Sequence, residues 1–249
     1  PEPNIHPHRQ LKLNQSLEAE PERRNRQTII TPHAPLLASV VKLSNIMIVK
    51  SGEAFSLSKE FTKLADDDYL YLEKYLDATK ANLFFARNVI IVEGPGEALL
   101  LPTLSRLLGY SFTDYGTSLV DVRSTGLRRY ARIFQRKDEK KQLDINVACI
   151  TDRDVMPNCA PNICIDDKYT EDIVTWPPKE KRAWRAEKDF TGDEAAAHMI
   201  EIEQKANGQK VKTFVANHWT LEYDLAYIGL QNKEMKEVLI DSVIKVSYV

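Results

Sequence analysis

Two short apolar runs, each stopping abruptly at acidic residues, constrain this chain more than any other feature. Asn88 to Val92 reads NVIIV and is followed by Glu93-Gly94-Pro95-Gly96-Glu97. Val147 to Thr151 reads VACIT and is followed by Asp152-Arg153-Asp154. A continuous apolar run without polar alternation predicts a strand buried on both faces, the pattern of parallel sheets. Ser118 to Val122 and Val211 to Ala216 read as two further strands. Helices are predicted over Glu97 to Leu108, stopping at Gly109, over a basic segment from Leu127 to Arg136, over Phe190 to Asn207, and from Thr220 onward. Strands alternating with helices predict an α/β fold with a parallel sheet flanked by helices.

Upstream the pattern differs. Leu11 to Glu20 looks helical, Gln27 to Thr31 looks like a short strand, and Leu36 to Val41 a short helix. Ile46 to Lys50 and Ala54 to Leu57, around Ser51-Gly52, predict a β-hairpin. Asp66 to Ala86 reads as one long amphipathic helix with three acids at its start. Residues 155–181, rich in Pro and Asp, read as a long loop.

In open parallel sheets, sites form outside the carboxyl ends of the strands. Two strands here deliver acids to that edge: Glu93 and Glu97 after one, Asp152 and Asp154 after the other. Residues two apart in an extended segment point the same way, so the two aspartates are expected to face one site. Four converging carboxylates repel one another without a cation, and hard oxygen donors suit Mg²⁺ or Mn²⁺ rather than zinc. Two such ions suit phosphodiester cleavage. The plainer reading is that each acid caps a helix, a role that Glu97 fits. Gly94-Pro95-Gly96 is not a dinucleotide fingerprint, because Leu99 stands where the third glycine belongs.

Bulk properties exclude some classes. Hydrophobic residues make up 43% and charged residues 28% of the 249 residues, as in soluble globular proteins. No apolar run approaches the ~18 residues of a membrane span, and no signal peptide is visible, so a cytoplasmic location is expected. The three cysteines form no disulfide framework and lack zinc-ligand spacing. The chain opens at Pro1 in a Pro-rich stretch, which suggests a fragment. The net charge of −2 gives no bulk support for nucleic acid, but basic residues cluster locally. Arg128, Arg132 and Arg136 are spaced by four, with Arg129 beside them, and predict a phosphate-contacting helix face. A solvated helix face is the plainer alternative. Lys179, Lys181, Arg182, Arg185 and Lys188, interleaved with Trp176 and Trp184, read either as a DNA-facing insertion or as a mobile loop covered by tryptophan packing.

Taken together, Val92-Glu93-Gly94 with Glu97, and Thr151-Asp152-Arg153-Asp154, resemble the two halves of a Toprim motif. The longer segments IIVEGPGEALLLPTLSRLLG, RRYARIFQRK and ITDRDVMP are similar to the OLD (overcoming lysogenization defect) family of ATP-dependent endonucleases. The resemblance implies a Toprim (Rossmann-like) parallel sheet over residues 87–249, and Mg²⁺- or Mn²⁺-dependent cutting of DNA. It implies metal and catalytic roles for Glu93, Glu97, Asp152 and Asp154. It also gives Thr220 and Glu222 a second-metal role, although Thr220 equally suits an N-cap. A late lysine of the family is not matched by Lys233, Lys236 or Lys245.

Residues 1–57 resemble the tail of an ABC-type ATPase domain, with His33 as the residue contacting the ATP γ-phosphate. Residues 58–86 would be the connecting helix. No GxxxxGK[ST] phosphate loop exists, so ATP is expected to act only in a full-length parent. The family resemblance implies DNA as partner and a homodimer. The alternative is a non-catalytic or regulatory remnant. A topoisomerase or primase fragment has no support in the flanking sequence.

Overall fold

A computed structural model describes residues 27–32, 34–123 and 126–247, together with Arg9, Lys12 and Ser16. His33 and most of the helix expected over 11–20 lie outside the described residues. The strand expected over 27–31 is absent: this segment has no regular structure, and Ile29 is exposed. The chain divides into two compact units, Pro1–Cys149 with Ala206–Lys212, and Ile150–Lys205 with Thr213–Val249.

The elements in chain order are α1 (Pro35–Val40), β1 (Met47–Lys50), β2 (Glu53–Ser56), α2 (Asp66–Tyr75), β3 (Asn88–Val92), α3 (Pro95–Leu107), β4 (Thr117–Asp121), α4 (Leu127–Arg132) and β5 (Asn146–Thr151). They continue with β6 (Val155–Met156), α5 (Ala160–Cys164), β7 (Arg185–Ala186), α6 (Glu194–Gln204), β8 (Val211–Val215), α7 (Leu221–Gln231) and α8 (Lys233–Ser247). A four-stranded parallel sheet flanked by helices has the order β4-β3-β5-β8.

In the first unit, β1 and β2 form the expected hairpin, with Met47 opposite Ser56 and Lys50 opposite Glu53. Ser51 and Gly52 both take positive φ (51° and 81°), the geometry that matches a two-residue turn to strand twist. The long helix expected over 66–86 is broken. It ends at Tyr75, and the Asp77 carboxylate accepts bonds from the Thr79 and Lys80 amides, both 2.9 Å, before a 3₁₀ segment at Lys80–Phe85. A short acid that satisfies nearby amides competes with helix continuation, which apolar periodicity does not register.

β3 pairs with β4 in parallel register, Asn88 opposite Thr117 and Val92 opposite Asp121. α3 makes the crossover between them. Val89, Ile91, Val120, Val122, Val147 and Cys149 pack with Leu57, Leu72, Leu83, Tyr130 and Ile133 in one core. On the opposite face Val92 is buried, but Ile90 is only half-buried and borders an apolar cleft of about 330 Å³ with Ser105, Leu108, Tyr110 and Phe112. Burial on both faces is therefore partial. The hairpin residues Ile48, Phe55 and Leu57 share the core with β3, so the packing is continuous across the boundary expected at residue 57.

Asp68 anchors this unit. Its side chain is 3% exposed and accepts bonds from the Ala65 amide (3.0 Å) and Arg132 Nη1 (2.9 Å), with Arg129 Nε at 3.7 Å. Burial opposes its ionisation, but the Ala65 amide and the two arginines outweigh that and hold its carboxyl below the usual carboxylate range. In the second unit, β6 pairs in parallel with β7, and α7 meets α8 where Gly229 faces Leu239. α8 leaves Val238 and Val246 mostly exposed, so the second unit covers its apolar side chains less completely than the first.

Replacing Asp68 by Ala removes a helix-start bond and the partner of two arginines. The expected cost is about 2 kcal/mol, read as a lower urea midpoint. A depressed carboxyl pKa contributes stability above its unfolded value near ~3.9 and loses it as pH falls through the lower folded value. The gap between wild type and Asp68→Ala should therefore be full at neutral pH and close under strong acid.

Candidate metal and nucleic-acid site

β3 ends at Val92 and hands the chain to Glu93 and then to α3, whose N-cap is Gly94 and whose first residue is Pro95. The helix thus begins two residues earlier than expected, because proline suits the first helical position. Glu97 falls in its first turn and is 6% exposed. A Cβ on Gly94 would lie 3.0 Å from Glu97 Oε2, so the carboxylate is folded against the turn and would have to shift to admit a side chain there. Within 4 Å, no Lys, Arg or His side chain among the described residues pairs with Glu97. Glu93 is half-buried. Cys149, at the neighbouring strand β5, is fully buried, and burial together with the Glu93 charge pushes its thiol up to about 12. It stays a neutral thiol at neutral pH.

Parallel pairing sends β4 to the same edge as β3. Just beyond it, Arg123 is exposed at φ 53° and its amide donates to Asp121 Oδ1 (3.0 Å). The predicted arginine face is not formed. α4 stops at Arg132, and Arg136 forms an isolated bridge with Thr62. Arg136 is 5% exposed, and its guanidinium donates to Ser56 O (2.6 Å). Arg129 donates to Asp67 O (2.9 Å) and lies over the Tyr71 ring, while Arg132 pairs with Asp68. A bond from Arg132 to a buried carboxylate and a carbonyl partner for Arg129 leave Arg128 as the helix residue turned to solvent.

In the second unit, Asp152 is half-buried and its Oδ1 accepts a bond from the Leu221 amide (3.0 Å) at the start of α7. Arg153 donates from its amide to Trp219 O (2.9 Å) and from Nη1 to Asn217 O (2.8 Å), fixing segment 217–221 beside the aspartates. Asp154 is exposed and takes φ 58°. That left-handed turn means the segment is not extended, so alternation does not align the two aspartates as expected. Thr220 is the N-cap of α7, its Oγ1 accepting from the Tyr223 amide (3.2 Å). Glu222 is exposed in the first turn of α7. Lys233, Lys236 and Lys245 are all exposed on α8.

Two residues not singled out from the sequence, Asp224 and His218, complete this loop. Asp224 accepts bonds from the Asn217 amide (2.7 Å), the His218 amide (3.1 Å) and His218 Nδ1 (3.0 Å). The available signal was an acid four residues after Thr220, placed to collect amides at a helix start.

The stretch 155–181 is structured rather than an open loop. It packs with Arg182 and Asp189, an ion pair whose side chains are 3% and 2% exposed. The Arg182 guanidinium lies 5.4 Å from the Trp176 ring and 4.4 Å from that of Trp184. Lys179 Nζ donates to Asp189 O (2.8 Å), and Lys188 Nζ to Glu171 O. Much of the second basic run is thus engaged in the insertion's own core.

Among the described residues no group of three or more His, Cys, Asp or Glu side chains is gathered for a metal ion. The donor chemistry nonetheless fits a hard cation. The acids are acceptor-only oxygens, and Glu97 is buried without a compensating charge among the described residues. No helix of the described residues is long and apolar enough to cross a membrane.

Residues 84–154 match the family model described as overcoming lysogenization defect protein-like, TOPRIM domain. This chain carries an OLD-like Toprim segment. The matched segment contains Glu93, Glu97, Asp152 and Asp154, whereas Thr220 and Glu222 lie outside it. The C-terminal region of the Xanthomonas campestris pv. campestris OLD protein is 24% identical, with 64% of this chain and 63% of that chain covered and a TM-score of 0.35. The C-terminal region of the Burkholderia pseudomallei OLD protein is 23% identical, with 59% and 61% covered and a TM-score of 0.34. The chain therefore spans less than two thirds of either relative. No curated protein matches.

Replacing Arg182 by Leu strands the buried Asp189 carboxylate. The cost is about 3 kcal/mol, and trypsin should then cut after Lys179 and Lys181, seen on a gel as a large N-terminal and a smaller C-terminal fragment.

Proposed function

We propose that this chain is an endonuclease that hydrolyses DNA phosphodiester bonds with Mg²⁺ or Mn²⁺. The observation that carries the reading is the Glu97 carboxylate, buried at the carboxyl end of β3 without a compensating cation among the described residues. A buried carboxylate without a counter-charge is costly, and a bound cation relieves that cost. Glu93, Glu97, Asp152 and Asp154 would hold two ions, with Thr220 and Glu222 contributing to the second. Such ions activate water and stabilise the leaving oxygen. Gly94 keeps the turn free for Glu97, the Leu221 amide orients Asp152, and Arg153 holds segment 217–221 in place. Arg123 and Arg128, exposed in the first unit, are the cations we assign to the DNA backbone.

Supercoiled plasmid should be nicked or linearised by the purified chain in Mg²⁺ or Mn²⁺ and left intact in EDTA. The double variant Asp152→Ala/Asp154→Ala should lose cutting by more than about a hundredfold. Cutting that survives in this variant refutes the site, and a folded wild type that never cuts refutes the activity. Gly94→Ala offers a finer check. Its fold should survive, with a change within about 0.5 kcal/mol, but calorimetric titration should show weaker Mn²⁺ binding because Glu97 is displaced.

A further inference from the structure

The start of α7 carries more aromatic surface than its packing uses. His218, Trp219, Tyr223 and Tyr227 form a continuous chain of rings. His218 lies 4.4 Å from Tyr227, centroid to centroid, Tyr223 and Tyr227 are nearly parallel at 20°, and Trp219 lies 5.7 Å from Tyr223. A ring cluster serving only as core would be covered. Here Tyr227 is 42% exposed and the His218 side chain 36% exposed. Nor is the His218 ring free to turn: its Nδ1 is tied to Asp224 Oδ1 at 3.0 Å, and Asp224 is held by two amides of the same loop.

The ring chain sits on the segment that Asp152 and Arg153 grip. The Leu221 amide is bonded to Asp152, and Arg153 is bonded to Trp219 O and Asn217 O, on either side of His218. Fixed, partly exposed rings on a loop to which the Arg153 guanidinium is bonded can stack unpaired nucleic-acid bases, since every base offers a π-face. A base pair inside a duplex has no face to give.

We propose that Tyr227 and His218 form a stacking platform for unpaired bases, so that this protein takes single-stranded or locally opened DNA in preference to intact duplex. The proposal rests on the nuclease reading for its place in catalysis, though not for binding. Tyr223 is half-buried, and its ring links Trp219 to Tyr227 within the platform.

Fluorescence polarisation tests it with the full chain in Ca²⁺, using labelled oligothymidylate and a duplex of the same length. Wild type should prefer the single strand. Tyr227→Ala should weaken that binding roughly tenfold and leave the duplex unchanged, while Tyr227→Phe, which keeps the ring, should bind as wild type does. No single-strand preference in wild type, or an equal loss on both probes in Tyr227→Ala, overturns the platform. A retained preference in a protein that cuts no plasmid supports the platform and removes the nuclease reading instead.

Discussion

The parallel pairing of β3 with β4 is the constraint on which the rest depends. With Asn88 opposite Thr117 and Val92 opposite Asp121, both strands finish at one edge of the sheet. That edge therefore collects Glu93 from one strand and Arg123 from the other. A parallel pair also needs a crossover, and α3 supplies it. The N-terminus of α3 falls against the end of β3, which puts Glu97 one turn from Glu93. Val89 and Ile91 hold the pairing in place from the core face. Acids that would be scattered in another topology are delivered to the carboxyl end of one strand.

Charge in this protein divides into what the fold consumes and what it leaves. Asp68 binds Arg132 and approaches Arg129, and Arg136 goes to the Ser56 carbonyl, so three of the four arginines in the basic helix region tie α2 and the hairpin to α4 and the turn after it. Arg182 is consumed in the same way by Asp189 and two tryptophans. Arginine suits such work, because its flat guanidinium stacks on rings while its edge donates several bonds. What remains exposed near the carboxyl edge of the first unit is Arg123 and Arg128. A net charge of −2 is compatible with the proposed activity, in which acids would hold cations.

Helical periodicity fails as a guide at two places for one reason. Over 66–86 and over 127–136 the apolar or basic spacing continues past the point where the helix stops. At Asp77 a side chain satisfies the next amides. After Arg132 the chain turns so that Arg136 reaches Thr62 and Ser56. Spacing reports which residues would share a face if a helix persisted. It does not report competing hydrogen bonds, some to residues far away in sequence.

The sequence by itself determined the two apolar strands and the acids that follow them. NVIIV, the second run ending at Thr151, and the hairpin around Ser51-Gly52 all appear as read, because β-branched runs and turn residues act locally. The identity of Glu93, Glu97, Asp152 and Asp154 as the acids that come after those strands was equally legible. Only the tertiary structure decided how each is presented. Glu97 is buried against Gly94, Asp154 takes a positive φ and is exposed, and Asp152 meets the Leu221 amide, a residue sixty-nine positions on. Burial and long-range hydrogen bonds depend on which segments meet in space, and the spacing of residues along one chain does not carry that information.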